Sequence, residues 1–175
     1  MRIEQVTLAT SALIDSLSDL LIDSVHGGAA VGFLAPLAPT DAAAYWREVF
    51  GRLSSNQVLF VARHRGKVLG AVQLALCERD DGRHRAEVQK LLVLSTCQGQ
   101  GLATMLMREL ETFALDQGRQ LLVLGADAGS KADSVYRHLG WQHAGEIPAY
   151  TKCPCGELHA TAYFYKQLAA LDTGR

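Results

Sequence analysis

A chain of 175 residues that is 49% apolar can bury one core and is short for two, so a single domain over residues 1–175 is expected. Its 17 basic and 18 acidic residues leave a net charge of −1, which excludes the basic field that nucleic acid or an anionic membrane requires and points to a small partner. Cys77, Cys97, Cys153 and Cys155 do not make a secreted disulfide framework, no basic stretch runs into an apolar leader, and no apolar run approaches about 18 residues; a reducing cytoplasm is the expected location.

Residues 2–9, with Ile3, Val6 and Leu8, read as an edge strand. Thr10 or Ser11 can cap the helix that follows, in which Leu13, Leu17, Leu20, Leu21 and Val25 form one apolar face. The pair Gly27-Gly28 after His26 fits a left-handed C-terminal cap, and two prolines make residues 29–39 a loop. A His-Gly-Gly run also builds oxyanion holes in serine hydrolases, but no GxSxG follows, and a histidine at a helix C-terminus interacts favourably with the dipole. A second helix is expected from Asp41, capped by Thr40 or Asp41, with Ala44, Tyr45, Glu48, Val49 and Leu53 at helical spacing. Residues 58–62 and 68–76 then form a hairpin around His64-Arg65-Gly66-Lys67. The near-continuous apolarity of its second strand predicts burial on both faces.

Asp80-Asp81-Gly82-Arg83 turns the chain into its organising stretch, residues 86–107. Residues 88–94 read as a buried strand that breaks at Ser95-Thr96-Cys97 into Gln98-Gly99-Gln100-Gly101. Leu102, Met105, Leu106, Glu109, Leu110 and Phe113 follow at helical spacing. A strand, a glycine turn and a helix N-terminus form an anion site: unpaired N–H groups and the positive end of the dipole favour phosphate, and glycine lets it approach. The third glycine of the dinucleotide fingerprint and the Gly-Lys-Ser/Thr of a triphosphate loop are both missing, so NAD and ATP fit poorly; a plain strand-to-helix turn is the alternative.

Asp116-Gln117-Gly118-Arg119 ends that helix, and residues 121–124 form a short buried strand reached by a right-handed crossover. Ser130 caps a further helix, with Asp133 three positions on and Val135 and Leu139 toward the core. A strand is expected over 141–147, a long loop over 148–156, and a last strand over 158–168 with Tyr163 and Tyr165 on one face and Phe164 on the other. Cys153, Cys155 and His159 have unusual spacing for zinc, so a reduced loop without metal is expected; the tail from Asp172 is expected to fray.

Gln98-x-x-Gly101-x-Ala103, placed after a Val-Gln-Lys-Leu-Leu-Val-Leu strand, resembles the coenzyme A signature Q/R-x-x-G-x-G/A of the GCN5-related N-acetyltransferase (GNAT) superfamily. Val25-His26-Gly27-Gly28, Arg85-Ala86-Glu87-Val88-Gln89-Lys90-Leu91, Ala128-Gly129-Ser130 and Tyr163-Phe164-Tyr165-Lys166 resemble the tabtoxin resistance acetyltransferases, and the likeness covers most of the chain. It implies the acyl-CoA N-acyltransferase fold, an α+β arrangement with a central mixed, mostly antiparallel sheet of about six to seven strands flanked by helices. The implied activity is acetyl-CoA-dependent acetylation of a small-molecule amine, an amino-acid-like metabolite or toxin. Acetylation of protein N-termini or lysines, and acyl-CoA binding without turnover, are the alternatives. By the same resemblance, Gln98, Gly99, Gln100, Gly101, Leu102, Ala103 and Thr104 take the coenzyme pyrophosphate, and Leu92, Val93 and Leu94 take the pantetheine arm. The amides of Leu92 or Val93, where the superfamily's strand bulges, would polarise the thioester, and the loop from His26 and Gly27 to Phe33 would wall the substrate pocket.

Acetyl transfer to an amine needs a deprotonated amine, a stabilised carbonyl oxygen and a protonated leaving thiolate. Glu87 is the candidate base, since a carboxylate partly shielded in a cleft is raised toward neutral pH; solvation, or pairing with Arg85 or Lys90, is the alternative. Tyr136 is the candidate acid. Val135-Tyr136-Arg137-His138-Leu139-Gly140-Trp141 fits the superfamily's [FV]-Y-x-x-x-G-[FW] pattern, in which the hydroxyl faces the coenzyme sulfur. A second acidic residue is expected where this chain has Gly125, and Asp127 is the candidate to cover part of that role toward substrate. Cys97, beside the anion turn, has no assigned role.

Overall fold

The computed structural model describes residues 1–168, so the tail from Asp172 lies outside the described residues. After strand β1 (Arg2–Val6), Thr10 accepts a hydrogen bond from the Leu13 N–H at 3.2 Å and starts helix α1 (Ser11–His26). The left-handed residue that stops it is the second glycine, Gly28 (φ +90°), while Gly27 stays at φ −76°. Helix α2 (Pro39–Arg52) begins two residues before the expected Asp41, because Pro39 occupies the first turn, where a missing N–H breaks no helical bond. Its buried face is Ala42, Trp46 and Val49.

Strands β2 (Gln57–His64) and β3 (Lys67–Leu76) form the expected hairpin, with consecutive positive φ at Arg65 (+49°) and Gly66 (+82°) as a tight primed turn requires. Then come β4 (Arg85–Val93), α3 (Leu102–Asp116), β5 (Leu121–Asp127), α4 (Lys131–His138), β6 (Gln142–Lys152) and β7 (Leu158–Gln167). The seven strands make one sheet in the order β1-β2-β3-β4-β5-β7-β6. Only β4 and β5 pair parallel, which is why α3 must cross over between them. Helices α1 and α2 cover one face around Leu17, Leu20, Leu21 and Trp46; α3 and α4 cover the other around Leu106, Leu110, Tyr136 and Phe164. No helix among the described residues is long and apolar enough to cross a membrane.

One irregularity shapes the middle of the sheet. Gln73 pairs with Gln89 and Ala71 with Leu92, so β4 carries an extra residue at Lys90 and Leu91, with Lys90 at φ +52°. Because side chains alternate with period two, the insertion flips the faces: Ala86 and Val88 enter the α3 side core and Leu92, also even-numbered, enters the α1 side core.

The stretch expected as a long reduced loop over 148–156 is different. Strand β6 continues to Lys152, taking up an irregularity between Ile147 and Thr151 with Ala149 at φ +53°. A tight turn follows, closed by a disulfide between Cys153 and Cys155, so neither sulfur is a free thiolate for a metal. The Ala35 N–H donates to the Pro154 carbonyl at 2.9 Å and ties the turn to the loop after α1.

Candidate active site

Parallel pairing of β4 with β5 lasts only from Arg85↔Leu121 to Glu87↔Val123, and the bulge at Lys90 then bends β4 away. The strands splay into a continuous cleft of about 1630 Å³, well above the roughly 300–1,000 Å³ of ordinary ligand pockets and suited to a long ligand beside a second one.

At one end lies the glycine turn. Gly99 (φ +75°) and Gly101 (φ +79°) are both left-handed, and a Cβ on either would meet nothing within 4 Å, so the turn faces open space. Gly101 begins α3 with no side-chain cap, and Met105 is the first residue whose N–H reaches back, to Gly101 at 3.0 Å. The N–H groups of Leu102, Ala103 and Thr104 therefore have no partner within the helix and point along its axis into the cleft. Asp23, which no local sequence signal singles out, braces the turn from α1: its carboxylate accepts from the Ser95 N–H and hydroxyl, both at 2.7 Å.

Of the residues that the resemblance assigned to coenzyme, Leu92, Val93, Gln98, Gly99, Gly101, Leu102, Ala103 and Thr104 line the cleft. Leu94 and Gln100 do not. Leu94 packs against the α1 side core, and the exposed Gln100 donates its side-chain amide to the Thr96 carbonyl at 3.3 Å. Leu92 and Val93 differ as well. The Leu94 N–H bonds the Leu69 carbonyl at 2.9 Å, so alternation turns the Leu92 N–H toward β3 and the Val93 N–H toward the cleft. The strand bulges at Lys90 and Leu91, before the Leu92 and Val93 expected.

Tyr136, rather than Val135 or Leu139, is the residue that α4 buries in the hydrophobic core, at 6% exposure, while those two are half-buried. The chain doubles back after Gly140, with the Trp141 N–H bonding the Tyr136 carbonyl at 3.0 Å, and this seats the Tyr136 ring 5.9 Å from Trp141 and 6.0 Å from Phe164. Its ring borders the cleft, and its hydroxyl has no hydrogen-bond partner among the described residues. Burial holds that hydroxyl well above the usual phenol range, so it stays protonated. Ser130 caps α4 as expected, accepting from the Asp133 N–H at 3.3 Å, while the Asp133 carboxylate reaches one residue further back, to the Gly129 N–H at 3.0 Å.

Glu87 lines the cleft but is exposed, not shielded. Asp127 also lines it, and both of its carboxylate oxygens lie 3.1 Å from His159 Nδ1, so this carboxylate is oriented by a neighbour. Gly27 borders the cleft; His26 and Phe33 do not. His26 Nε2 accepts from the Leu37 N–H at 3.2 Å, and Phe33 packs edge-on behind Tyr45, which does reach the cleft and whose hydroxyl accepts from buried Gln73 at 2.9 Å.

A side chain at position 125 would be crowded. A Cβ on Gly125 would stand 3.1 Å from Thr161 Cγ2 and 3.4 Å from the Tyr163 ring, which fill that space from β7. Gly125→Asp is expected to destabilise the fold by about 1–3 kcal/mol, the usual cost of overpacking, read as a lowered denaturation midpoint; an unchanged midpoint would show that the ring yields freely.

The sequence model of the acetyltransferase (GNAT) family matches residues 25–141. The chain is 33% identical over 95 residues to N-acetyltransferase family 8 member 2 of Rattus norvegicus; the match covers 53% of this chain and 42% of that protein, so the chain spans less than half the length of this relative. A ribosomal-protein-alanine N-acetyltransferase from Brucella melitensis superposes with a TM-score of 0.77 at 22% identity, over 96% of this chain and 100% of that one. A protein from Salmonella typhimurium, solved with its cofactor acetyl-CoA, superposes with a TM-score of 0.71 at 20% identity, over 98% of this chain and 96% of that one. At these identities the structural likeness establishes the fold.

Proposed function

The chain belongs to the acetyltransferase (GNAT) family, and from that premise we propose that it transfers the acetyl group of acetyl-CoA to the amine of a small molecule. The observation that carries this reading is a single cleft with an open, left-handed glycine turn at one end and Glu87 and Tyr136 on its walls. The free amides at 102–104 suit a pyrophosphate, and the cleft-facing backbone of Val93 suits a pantetheine arm paired as an added strand. When bound, acetyl-CoA supplies an activated thioester. The Val93 N–H stabilises negative charge on a carbonyl oxygen beside it. Glu87 holds the acceptor ammonium and takes its proton, directly or through water. Tyr136 gives its proton to the departing sulfur and regains one from solvent.

The acceptor is a small amine of amino-acid-like character, a metabolite or toxin in the manner of the tabtoxin resistance acetyltransferases. Gly27, Gly32, Tyr150 and Tyr163 line the same cleft as Glu87. The cytoplasm is the proposed location on the strength of the free thiols Cys77 and Cys97; the Cys153–Cys155 disulfide spans a three-residue turn and is not the framework of a secreted domain.

The test is purified protein with acetyl-CoA against an amine panel, following thiol release. Acetylation of small amines supports the reading, acetylation of peptide N-termini or lysines alone would replace the acceptor class, and acetyl-CoA binding without turnover on any amine would make this a binding module. Glu87→Gln is expected to lower kcat/KM for the amine by about 10²-fold or more, with acetyl-CoA affinity unchanged by calorimetry. Parental kinetics in that variant would leave Glu87 a solvated surface acid.

A further inference from the structure

Lys90 is an ammonium that the transfer chemistry above leaves unused. It is the bulged residue of β4, held at φ +52°, a left-handed conformation unfavourable for a residue with a Cβ. The conformation turns its side chain into the cleft, where Nζ lies against the loop after α1: a Cβ on Gly32 would stand 3.3 Å from it. No carboxylate among the described residues is within ion-pair distance of Nζ. The side chain is half-buried; burial lowers its pKa, and Glu87 opposes this as a neighbouring charge without forming an ion pair. A cation in such a place is costly unless an anion joins it.

Which anion follows from position along the strand. Lys90 precedes Val93 by three residues, about 7–8 Å once the extra residue of the bulge is left out of the strand rise, and it lies on the side away from the glycine turn. The coenzyme phosphates belong at that turn. Glu87, proposed above to meet the acceptor amine, lines the same cleft three residues before Lys90. We propose that Lys90 binds a carboxylate carried by the acceptor, so that the enzyme selects amines bearing an acid group. This rests on the acetyltransferase reading and narrows its substrate class.

The experiment compares L-lysine, L-ornithine and L-phenylalanine with their decarboxylated counterparts cadaverine, putrescine and phenethylamine. Binding to the protein saturated with coenzyme A is measured by calorimetry, and kcat/KM with acetyl-CoA by thiol release. The acids are expected to exceed their counterparts at least tenfold. In Lys90→Met that ratio should fall at least tenfold through KM, and Lys90→Arg, which keeps the charge, should restore most of it. Equal binding of both series, no binding of any acid, or a preference that survives in Lys90→Met would each overturn the proposal. A loss of acetyl-CoA affinity in Lys90→Met would also overturn it, by placing the residue on the coenzyme. If the decarboxylated amines alone are acetylated, Lys90 is wrongly assigned while the acetyltransferase reading stands. If no amine is acetylated, that reading fails, and the calorimetric series still decides whether Lys90 selects acids.

Discussion

Gly101→Asp is expected to abolish acetyl-CoA binding in a protein that still folds. Gly101 begins α3 at φ +79°, and a Cβ placed there meets nothing within 4 Å, so the substitution brings no clash. Aspartate is one of the few residues with a side chain that enters the left-handed region routinely, at a cost of roughly 1–2 kcal/mol. Its carboxylate would stand in front of the free amides at 102–104, where a pyrophosphate is proposed to lie. At about 4 Å and an effective dielectric near 20, one pair of like charges is worth about 4 kcal/mol, nearly a thousandfold in affinity. Gly118→Asp is the control, because Gly118 at the other end of α3 is also left-handed (φ +72°) with open space around it, and it carries the strain without the charge at the turn. Calorimetry should show parental affinity for Gly118→Asp and none for Gly101→Asp. Retained affinity in a folded Gly101→Asp would falsify the anion turn.

Tyr136→Phe should cut turnover by about 10²-fold or more, the lower range for losing a positioned proton donor, with little change in stability or coenzyme affinity. The expectation of near-native stability comes from the contacts: the ring packs on Trp141 and Phe164, and phenylalanine keeps both. Removing the hydroxyl leaves no partner unsatisfied among the described residues. Burial raises the Tyr136 pKa, so the hydroxyl remains neutral and able to donate throughout the physiological range; any loss of rate as pH rises through that range belongs to another group. The measurement is single-turnover thiol release, where chemistry and not product release sets the rate. Full turnover in the phenylalanine variant would leave Tyr136 as a packing residue.

Much of the frame was legible in the residues themselves. The face of α1, the β2–β3 hairpin and the Ser130 cap are local, because each depends on residues within a few positions of one another. The glycine turn is local too: Gly99 and Gly101 are needed where φ is positive, whatever lies around them. The resemblance added Glu87 and Tyr136, and the fold places both on one cleft, together with eight of the ten residues it assigned to coenzyme. Leu94 and Gln100 lie beside cleft-lining residues in sequence yet away from the cleft, because strand alternation and the turn aim them elsewhere.

What sequence alone determined, then, is where the chain must turn, where it must be helical, and which glycine turn opens a helix whose first amides are unpaired. The tertiary structure decided what stands around that turn. Asp23 reaches Ser95 from 72 positions away, Thr161 and Tyr163 fill the space an acid at 125 would need, and β6 runs on to a turn closed by Cys153 and Cys155. The extra residue at Lys90 reverses the faces of β4 and turns an ammonium into the cleft. A bulge is set by the register between two strands, and the hydrogen bonds that fix that register come from β3, well outside any local pattern in β4. The residues beside a local glycine turn can therefore be read in order along the chain, but which of them face the cleft depends on pairing across the sheet.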